Sequence, residues 1–437
     1  MTADFIGIDF GTSNCAVAAW LNNKPTLIVV DKESENPFKI RSAIYLTHNE
    51  SGAASNNATT NEQTLNEMLN SGDILFGEQG FKTFLLSPDE GRYVNSPKNF
   101  LGAKIPKRLL DNFELLVIRF LSYLKQCAEK QLNTTINKAV IARPVNYHST
   151  MGELGNQQAE ALMLRAATKA GFTEVDFIHE PLAAAYHFEQ QIKKPTKAMV
   201  VDLGGGTSDV TFCLLSKDKA DNLERDADIY ATKGIRQGGI VSDKYLASSI
   251  VSPLFGRGGR TADGRSIPNM LYFGVYAIDN IPEMSDFYSP ARAKSITEYI
   301  FDSEDPAPLM RLQQVQKQRL THQLMHDIEL AKINLSDQQQ TDLPLTFIEK
   351  SLNVTIKRDQ VAQTMTKWLE KMFVMIDCAV DEAELQPEII YLTGGMGLSP
   401  LVQQAIKARY PQVNITVADA FSSVVLGALL KAKRLFS

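Results

Sequence analysis

The sequence predicts an α/β protein with a duplicated fold, in which each of two lobes begins with a β-hairpin. Residues 199–213, MVVDLGGGTSDVTFC, form two apolar, β-branched runs on either side of a glycine-rich turn, and Asp202 ends the first run. Residues 5–17, FIGIDFGTSNCAV, repeat this pattern near the start of the chain, with Asp9 in the matching position. A chain of 437 residues is also longer than one compact core usually supports. The repeat and the length together predict two lobes.

The two turns have the composition of a phosphate site. Glycine lacks a Cβ, so successive backbone N–H groups can approach an anion closely and form a concave binding surface. Asp202 and Asp209 bring negative charge to the later turn, which suits a phosphate only if a divalent cation such as Mg²⁺ lies between them. The turn residues that we expect to contact phosphate are Gly11, Thr12, Ser13 and Asn14 in the first hairpin and Gly204, Gly205, Gly206 and Thr207 in the second.

Composition and charge argue against several classes of protein. Hydrophobic residues make up 44% of the chain and charged residues 22%, as in globular proteins, and a net charge of −5 offers no electrostatic reason to bind nucleic acid or an anionic membrane. No apolar run approaches the roughly eighteen residues of a membrane span. The four cysteines lack metal-ligand spacing and the N-terminus lacks a signal-peptide pattern, so we predict reduced thiols in a cytoplasmic protein.

The remaining elements of the first lobe follow in chain order. Residues 48–72 are polar and rich in Asn, Ser and Thr, which predicts a surface excursion. Apolar residues at helical spacing predict helices over residues 109–132 and 157–170, and Gly171 suits the C-terminus of the second helix. Between these helices, residues 138–144, KAVIARP, read as a buried strand that ends at a proline.

The second lobe contains an unfamiliar insertion and a further glycine turn. Residues 253–310 carry several arginines, but acidic residues are interleaved with them, which argues against nucleic-acid binding. A helix is predicted over residues 320–336. Residues 389–393 form an apolar strand, Gly394 and Gly395 follow it, and Pro400 begins a helix. Such a strand-to-helix turn, residues 393–400, leaves room for adenosine and an α-phosphate beside the helix N-terminus.

The motifs DFGTSN and DLGGGTSD resemble the two phosphate motifs of the actin, hexokinase and Hsp70 ATPase superfamily, and the similarity to the Hsp70 branch runs through nearly the whole chain. The resemblance implies a duplicated RNase H-like fold with two lobes around a nucleotide cleft. Residues 1–197 would form the first lobe and residues 198–437 the second, with an outer subdomain at about residues 240–340.

The resemblance also implies roles for residues outside the hairpins. Lys98 precedes Phe-Leu-Gly, as does the lysine that reaches the γ-phosphate in Hsp70s, and Glu180 begins the Glu-Pro-x-Ala-Ala-Ala segment whose glutamate lies near the metal. Gly238 and Gly239 match a glycine pair of the family. Three residues match the helix motif that contacts adenine and ribose, namely Glu329, Lys332 and Ser336.

The chain departs from the Hsp70 pattern at three places. Leu398 stands where Hsp70s carry the arginine that lies on the adenine, which leaves a more apolar base site. Pro144 matches a proline that couples the nucleotide and substrate domains in that family, but the following Val-Asn-Tyr matches only in part. The final KAKRLFS resembles no interdomain linker, so we expect the ATPase region without a peptide-binding domain.

These features predict an ATP- and ADP-binding, Mg²⁺-dependent ATPase. Asp9, Glu180 and Asp202 would arrange the hydrated metal, and Asp209 with Thr207 would position the attacking water. The hairpin amides and Lys98 would offset phosphate charge. Two alternatives remain open: a small-molecule kinase of the same superfamily, and a filament or scaffold protein that ATP switches. An unidentified protein partner or client is compatible with each of them.

Overall fold

The computed structural model describes residues 4–47, 73–147, 151–222, 225–417 and 421–437, so the predicted surface excursion at residues 48–72 lies outside the described residues. The strands, in chain order, are β1 (Phe5–Phe10), β2 (Asn14–Leu21), β3 (Lys24–Leu27), β4 (Ile40–Arg41), β5 (Ala43–Thr47), β6 (Ile74–Phe76), β7 (Gly91–Asn95), β8 (Lys138–Arg143), β9 (Glu174–His179), β10 (Thr196–Leu203), β11 (Ser208–Leu215), β12 (Ile229–Ile235), β13 (Gln340–Pro344), β14 (Asn353–Lys357), β15 (Ile389–Thr393) and β16 (Asn414–Val417).

The helices, in the same order, are α1 (Gly77–Leu86), α2 (Lys107–Leu132), α3 (Gly152–Lys169), α4 (Glu180–Glu189), α5 (Gly239–Ile250), α6 (Ile281–Phe287), α7 (Pro290–Asp302), α8 (Ala307–Lys317), α9 (Thr321–Asp337), α10 (Arg358–Ala383), α11 (Pro400–Arg409) and α12 (Ser423–Phe436). The helices predicted at 109–132, 157–170 and 320–336 are therefore present as α2, α3 and α9. Gly171 has φ +95°, the left-handed conformation that ends a helix at glycine. No helix among the described residues is both long enough and apolar enough to cross a bilayer.

Two large sheets repeat one topology. The first has the order β3-β2-β1-β8-β9, with β4 added beside β2, and the second has the order β12-β11-β10-β15-β16. In each sheet the central strand, β1 or β10, is antiparallel to the strand that follows it along the chain and parallel to a later one. Equal strand order and direction are what a duplicated α/β fold requires.

The central strands are apolar because both faces of each sheet are covered. Ile6 and Ile8 in β1, like Val200 and Val201 in β10, are fully buried, which is typical of the parallel part of a sheet. Asp9 and Asp202 follow these runs at equivalent strand ends. The topology therefore delivers one carboxylate from each repeat to the end of its central strand.

The last helix packs closely against the first sheet. A Cβ added to Gly427 in α12 would lie 1.7 Å from the carbonyl oxygen of Ala183 in α4. A Cβ added to Gly7 in β1 would lie 2.4 Å from the backbone nitrogen of Leu429 in α12. Neither position has room for a larger residue, so glycine sets the distance between these elements.

The chain divides into two compact units. The first comprises residues Met1–Gly239, Lys371–Leu398 and Val402–Ser437 and contains both large sheets together with the β6-β5-β7 sheet. The second comprises Ile240–Glu370 and Ser399–Leu401 and contains the β13-β14 ribbon. The predicted outer subdomain at about residues 240–340 falls within the second unit, and the predicted lobe boundary at residue 197 stays a prediction.

The second unit is mainly helical and has its own apolar core. Phe255, Phe287 and Trp368 are fully buried in it. The insertion at residues 253–310 contributes α6, α7 and part of α8, and Pro residues stand in the first turn of these helices, where a missing backbone N–H costs nothing.

Candidate functional site

The turns of the two hairpins pack against each other in the first unit. A Cβ added to Gly205 would lie 1.9 Å from Ser13 Oγ, and a Cβ added to Gly206 would lie 2.6 Å from Thr12 Oγ1. The second turn closes through a 3.0 Å hydrogen bond from the Gly204 N–H to the Thr207 carbonyl. The sequence therefore predicted correctly that two glycine turns occur, and the structure adds that they touch.

The first turn is held by its neighbours. A Cβ on Gly11 would lie 2.3 Å from the carbonyl oxygen of Asn14, so the turn is too tight for a larger residue. Ser42 Oγ donates to the Gly11 carbonyl at 2.7 Å, and Thr12 Oγ1 donates to Asn99 Oδ1 at 3.3 Å. These contacts orient the Thr12 and Ser13 segment that faces the second turn.

The predicted glycine pair Gly238–Gly239 also contacts the second turn. The Gly239 N–H donates to the Gly204 carbonyl at 2.9 Å. A Cβ on Gly238 would lie 2.3 Å from the Gly205 carbonyl oxygen and 2.5 Å from the Gly206 nitrogen. Both partners are backbone atoms, which side-chain rotation cannot relieve.

Four carboxylates meet beside these turns. Asp202, Asp209 and Glu180 are 6%, 1% and 9% exposed. Burial raises the pKa of Asp9 to about 7 and that of Asp209 to about 7, and the Glu180 carboxylate adds to both shifts. The pKa of Asp202 is raised well above its ordinary range by burial and by the other three carboxylates. The corner therefore concentrates negative charge away from solvent.

Lys98 enters this corner on a short 3-10 helix, Pro97–Phe100. Its Nζ donates to Glu180 Oε1 at 2.7 Å and to the Phe10 carbonyl at 2.6 Å. Burial alone would lower the pKa of Lys98, but Glu180, Tyr147 and Asp9 together outweigh burial and the pKa is raised. Ser96, which precedes the helix with φ +52°, donates to the Thr12 carbonyl and so fixes the lysine segment to the first turn.

Asp209 retains an unused acceptor. Its Oδ1 accepts a 3.0 Å hydrogen bond from the Val145 N–H, and a Cβ on Gly234 would lie 2.2 Å from the same oxygen. Its Oδ2 is buried and makes no hydrogen bond of normal geometry among the described residues, although the Thr207 hydroxyl lies close enough to lower the pKa of Asp209. A buried carboxylate oxygen without a partner carries a large desolvation cost, so a water or cation is expected to bind it.

The donor set fits a hydrated Mg²⁺. Within the described ranges, no three His, Cys, Asp or Glu side chains converge closely enough to ligate one ion directly. Mg²⁺ keeps several waters and is commonly held by one or two carboxylates together with substrate phosphates. Two observations match such an ion. Buried carboxylates outnumber the cation Lys98, which contacts Glu180. One oxygen of Asp209 is also unused.

The strand-to-helix turn after β15 occurs as predicted. Gly394 has φ +77°, and a Cβ there would lie 2.4 Å from the Leu203 carbonyl and 2.6 Å from Asp202 Oδ1. By contrast, a Cβ on Gly395 would meet no atom within 4 Å. Leu398, at the end of this turn, is 44% exposed. Gly395 therefore faces open space next to the carboxylate corner.

The predicted adenosine residues lie together on α9 in the second unit. Lys332 Nζ is 2.7 Å from Asp243 Oδ1, and the pKa of Asp243 is raised to about 6 by burial, which Lys332 partly offsets and Glu329 adds to. Lys332 and Ser336 line a cleft together with Arg358. The Arg358 guanidinium donates to the carbonyls of Leu335 and Ser336 at 2.8 and 2.9 Å.

Sequence reasoning missed several residues of these sites. No motif pointed to Asn99, Tyr147 or Arg358. Each belongs to a site only through contacts with residues that are distant along the chain. Asn99 directly follows Lys98, and Tyr147 follows the proline segment that matches the family only in part. Their positions next to predicted site segments were the only signals in the sequence for Asn99 and Tyr147.

The stability of the metal-free, nucleotide-free protein is expected to fall as pH rises from 5 to 8. A carboxyl whose pKa is raised in the folded state stabilises fully only below its unfolded pKa, near 3.8, and this stabilisation is lost as pH rises through the folded pKa, about 7 for Asp9 and Asp209. Urea unfolding in EDTA should show that the free energy of unfolding falls over this range by about 2–3 kcal/mol for each of these carboxyls. Asp209→Asn should make the free energy of unfolding depend less steeply on pH, whereas the substitution of an exposed carboxylate, Asp359→Asn, should not. Stability that rises over this range would contradict the assignment.

Two glycine substitutions are expected to distinguish a glycine that is required for packing from a glycine that leaves space for a ligand. Gly238→Ala should lower the free energy of unfolding by about 1–3 kcal/mol, because its Cβ meets backbone. Gly395→Ala, the matched control, should leave the stability of the nucleotide-free protein unchanged and weaken ADP binding, because its Cβ enters open space. Chemical unfolding and ADP titration of both variants provide the measurement. Unchanged ADP affinity in Gly395→Ala would exclude this turn from the nucleotide site.

The chain is similar to known proteins over most of its length. A family model described as Hsp70 protein matches residues 104–250 and 294–436. The chain is 31% identical over 221 residues to the chaperone protein DnaK of Ureaplasma urealyticum, which covers 48% of this chain and 30% of that protein. It is 30% identical over 212 residues to a chaperone protein HscA homolog of Rickettsia bellii, which covers 47% and 32%.

A longer match has lower identity. The chain is 25% identical over 450 residues to the chaperone protein DnaK of Carsonella ruddii, which covers 98% of this chain and 62% of that protein. This chain therefore spans less than two thirds of the length of each of these relatives.

Proposed function

The chain belongs to the Hsp70 family, and on that premise we propose that it binds ATP and ADP with Mg²⁺ and hydrolyses ATP slowly. The observation that carries the proposal is the corner where two glycine turns touch beside Lys98 and four carboxylates, of which Glu180, Asp202 and Asp209 are buried. Bound Mg²⁺ would supply the positive charge that lets phosphate oxygens approach those carboxylates. Asp9, Glu180 and Asp202 would hold its water molecules.

The chain's own groups act by position and charge. Lys98 uses two of its three N–H groups on Glu180 and the Phe10 carbonyl, so the third can bind a phosphate oxygen. The unused Oδ2 of Asp209 can accept a hydrogen from the attacking water, with Thr207 beside it. The backbone amides of both turns face the phosphates. Phosphoryl transfer requires little more than such positioning and electrostatic stabilisation.

The adenosine end is assigned to residues outside the phosphate corner. Glu329, Lys332 and Ser336 stand on one face of α9, and the last two line a cleft. The family motif assigns Gly394, Gly395 and Leu398, in the first unit, to nucleotide contact as well. Within the family, we propose that the motif set most resembles that of the bacterial Hsp70-like protein YegD.

Hydrolysis would serve a chaperone-like or conformational-switch role toward a protein partner or client. Two experiments test the proposal against the alternatives. Millimolar Mg-ATP should raise the Tm by mass action, and phosphate should be released without an added acceptor. An unchanged Tm would refute nucleotide binding, and release that depends on a small-molecule acceptor would indicate a kinase. Light scattering that rises with ATP and with protein concentration would indicate the filament alternative.

Leu398→Arg is expected to tighten ADP binding by roughly fivefold to thirtyfold. A guanidinium against the adenine contributes about 1–2 kcal/mol, and Leu398 is exposed enough for a longer side chain to extend. Calorimetric titration of ADP is the measurement, with the exposed Leu435→Arg on α12 as control. Equal or weaker affinity in Leu398→Arg would show that another residue already covers the base.

A further inference from the structure

Tyr147 is a buried phenol whose hydroxyl has no hydrogen-bond partner among the described residues. The residue is 4% exposed, and its Oη makes no hydrogen bond within the described part of the chain. Leaving a buried hydroxyl unpaired costs stability, so native proteins rarely do so without a reason.

The side chain is held in place. The Tyr147 N–H donates to Asn156 Oδ1 at 2.9 Å. A Cβ on Gly102 would lie 2.9 Å from the Tyr147 Cβ, so the Lys98 segment packs closely against this residue. The unpaired hydroxyl therefore does not reflect a loose side chain.

Tyr147 borders the phosphate corner. Lys98 Nζ lies 6.0 Å from the centre of the Tyr147 ring. Burial raises the pKa of Tyr147 to about 12, so the phenol is neutral near pH 7 and offers its hydrogen as a donor. As far as the described residues show, this corner thus contains two unused donors: the Tyr147 hydroxyl and the third N–H of Lys98.

Among the described residues, no acceptor is seen to bind either of these two donors. Glu180 and the Phe10 carbonyl already bind the other hydrogens of Lys98. An anionic oxygen brought by a ligand can accept from the lysine and from the phenol at once, and charge-assisted hydrogen bonds of this kind are the strong ones.

We propose that Tyr147 is a catalytic residue whose hydroxyl donates a hydrogen bond to the terminal phosphoryl group of bound ATP, beside Lys98. The inference rests on the proposed function. The phenol keeps its proton throughout and stabilises charge that develops on the transferred group.

Tyr147→Phe tests the proposal, because it removes only the oxygen. The Tm of the nucleotide-free variant should rise by about 1–3 °C, since an unpaired buried hydroxyl is gone. The single-turnover rate of Mg-ATP hydrolysis should fall by about tenfold to a hundredfold. ADP affinity should not change, because ADP lacks the terminal phosphoryl group. A stabilised protein that hydrolyses more slowly is a result that a purely structural role would not produce.

Tyr45→Phe is the matched control. Tyr45 is also buried, but its Oη donates to the Ser87 carbonyl at 2.7 Å. Removing this hydroxyl should lower the Tm and leave hydrolysis unchanged. In a Lys98→Ala background, Tyr147→Phe should cost less than in the native protein, because both groups serve one oxygen.

Two outcomes would overturn the proposal: an unchanged hydrolysis rate in Tyr147→Phe, whatever its Tm, or an equal loss of ATP and ADP binding. A native protein that shows no Mg-ATP hydrolysis would instead refute the proposed function. Hydrolysis by the native protein is therefore measured first.

Discussion

Replacing Lys98 by alanine is expected to slow ATP hydrolysis by about a hundredfold or more while ADP still binds. The ammonium is 3% exposed and has one N–H left after its bonds to Glu180 and the Phe10 carbonyl. Removing one preorganised donor from a transition-state oxyanion typically costs that much. Because ADP lacks the terminal phosphate, its affinity should change little. Single-turnover hydrolysis and ADP titration provide the two measurements.

A structural effect of this substitution can be separated from the chemical one. Lys98→Ala leaves Glu180 buried without its cation, which can cost about 3–5 kcal/mol of stability. Adding Glu180→Gln should restore much of that stability but not the hydrolysis rate. Lys294→Ala, which breaks the exposed pair with Glu298, is the surface control and should affect neither. An unchanged rate in Lys98→Ala would show that another lysine contacts the phosphate.

Replacing Asp202 by asparagine is expected to have opposite effects with and without Mg²⁺. With Mg²⁺, ADP affinity should fall by about tenfold to a hundredfold, because the carboxylate that we propose to hold the ion's water is gone. In EDTA, the variant should bind ADP as well as the native protein or better, since the raised pKa of Asp202 already favours its neutral form without a cation and asparagine removes the charge that remains. The high pKa of Asp202, which reflects burial and three neighbouring carboxylates, shows how strongly that charge is opposed.

Calorimetric titration of ADP under both conditions tests this reversal. Asp176→Asn, which breaks a pair with Lys431 in the same unit, is the matched control and should leave both affinities unchanged. Equal losses with Mg²⁺ and with EDTA would show that Asp202 supports the fold of the turn and does not act through a cation.

The hairpins could be predicted because their chemistry is local. A strand that ends in Asp and a turn of Gly and Thr are contiguous along the chain, and so is the turn at Gly394 and Gly395. Lys98 and Glu180 were predicted through family motifs, and the structure pairs them at 2.7 Å. Their roles toward a nucleotide stay predictions.

Other features could not be predicted, because they arise from packing between distant segments. No pattern in the sequence shows that the Tyr147 hydroxyl lacks a partner or that Arg358 binds carbonyls of α9. Likewise, Gly238 resembles any loop glycine until its neighbours, the backbone atoms of Gly205 and Gly206, are known. The grouping of both large sheets in one unit also depends on contacts that no local signal encodes.

The close packing of α12 has a consequence for inherited variation. This helix contacts α4, which begins at Glu180, and β1, which contains Asp9, through positions where only glycine fits. A premature stop codon between residues 398 and 423 would remove the helix that packs against the elements carrying Asp9 and Glu180. Every motif residue would still be translated. A missense change at Gly427 would also disturb this packing, because even one added Cβ atom would clash with α4. Null alleles should therefore map to the last helix as readily as to the phosphate turns.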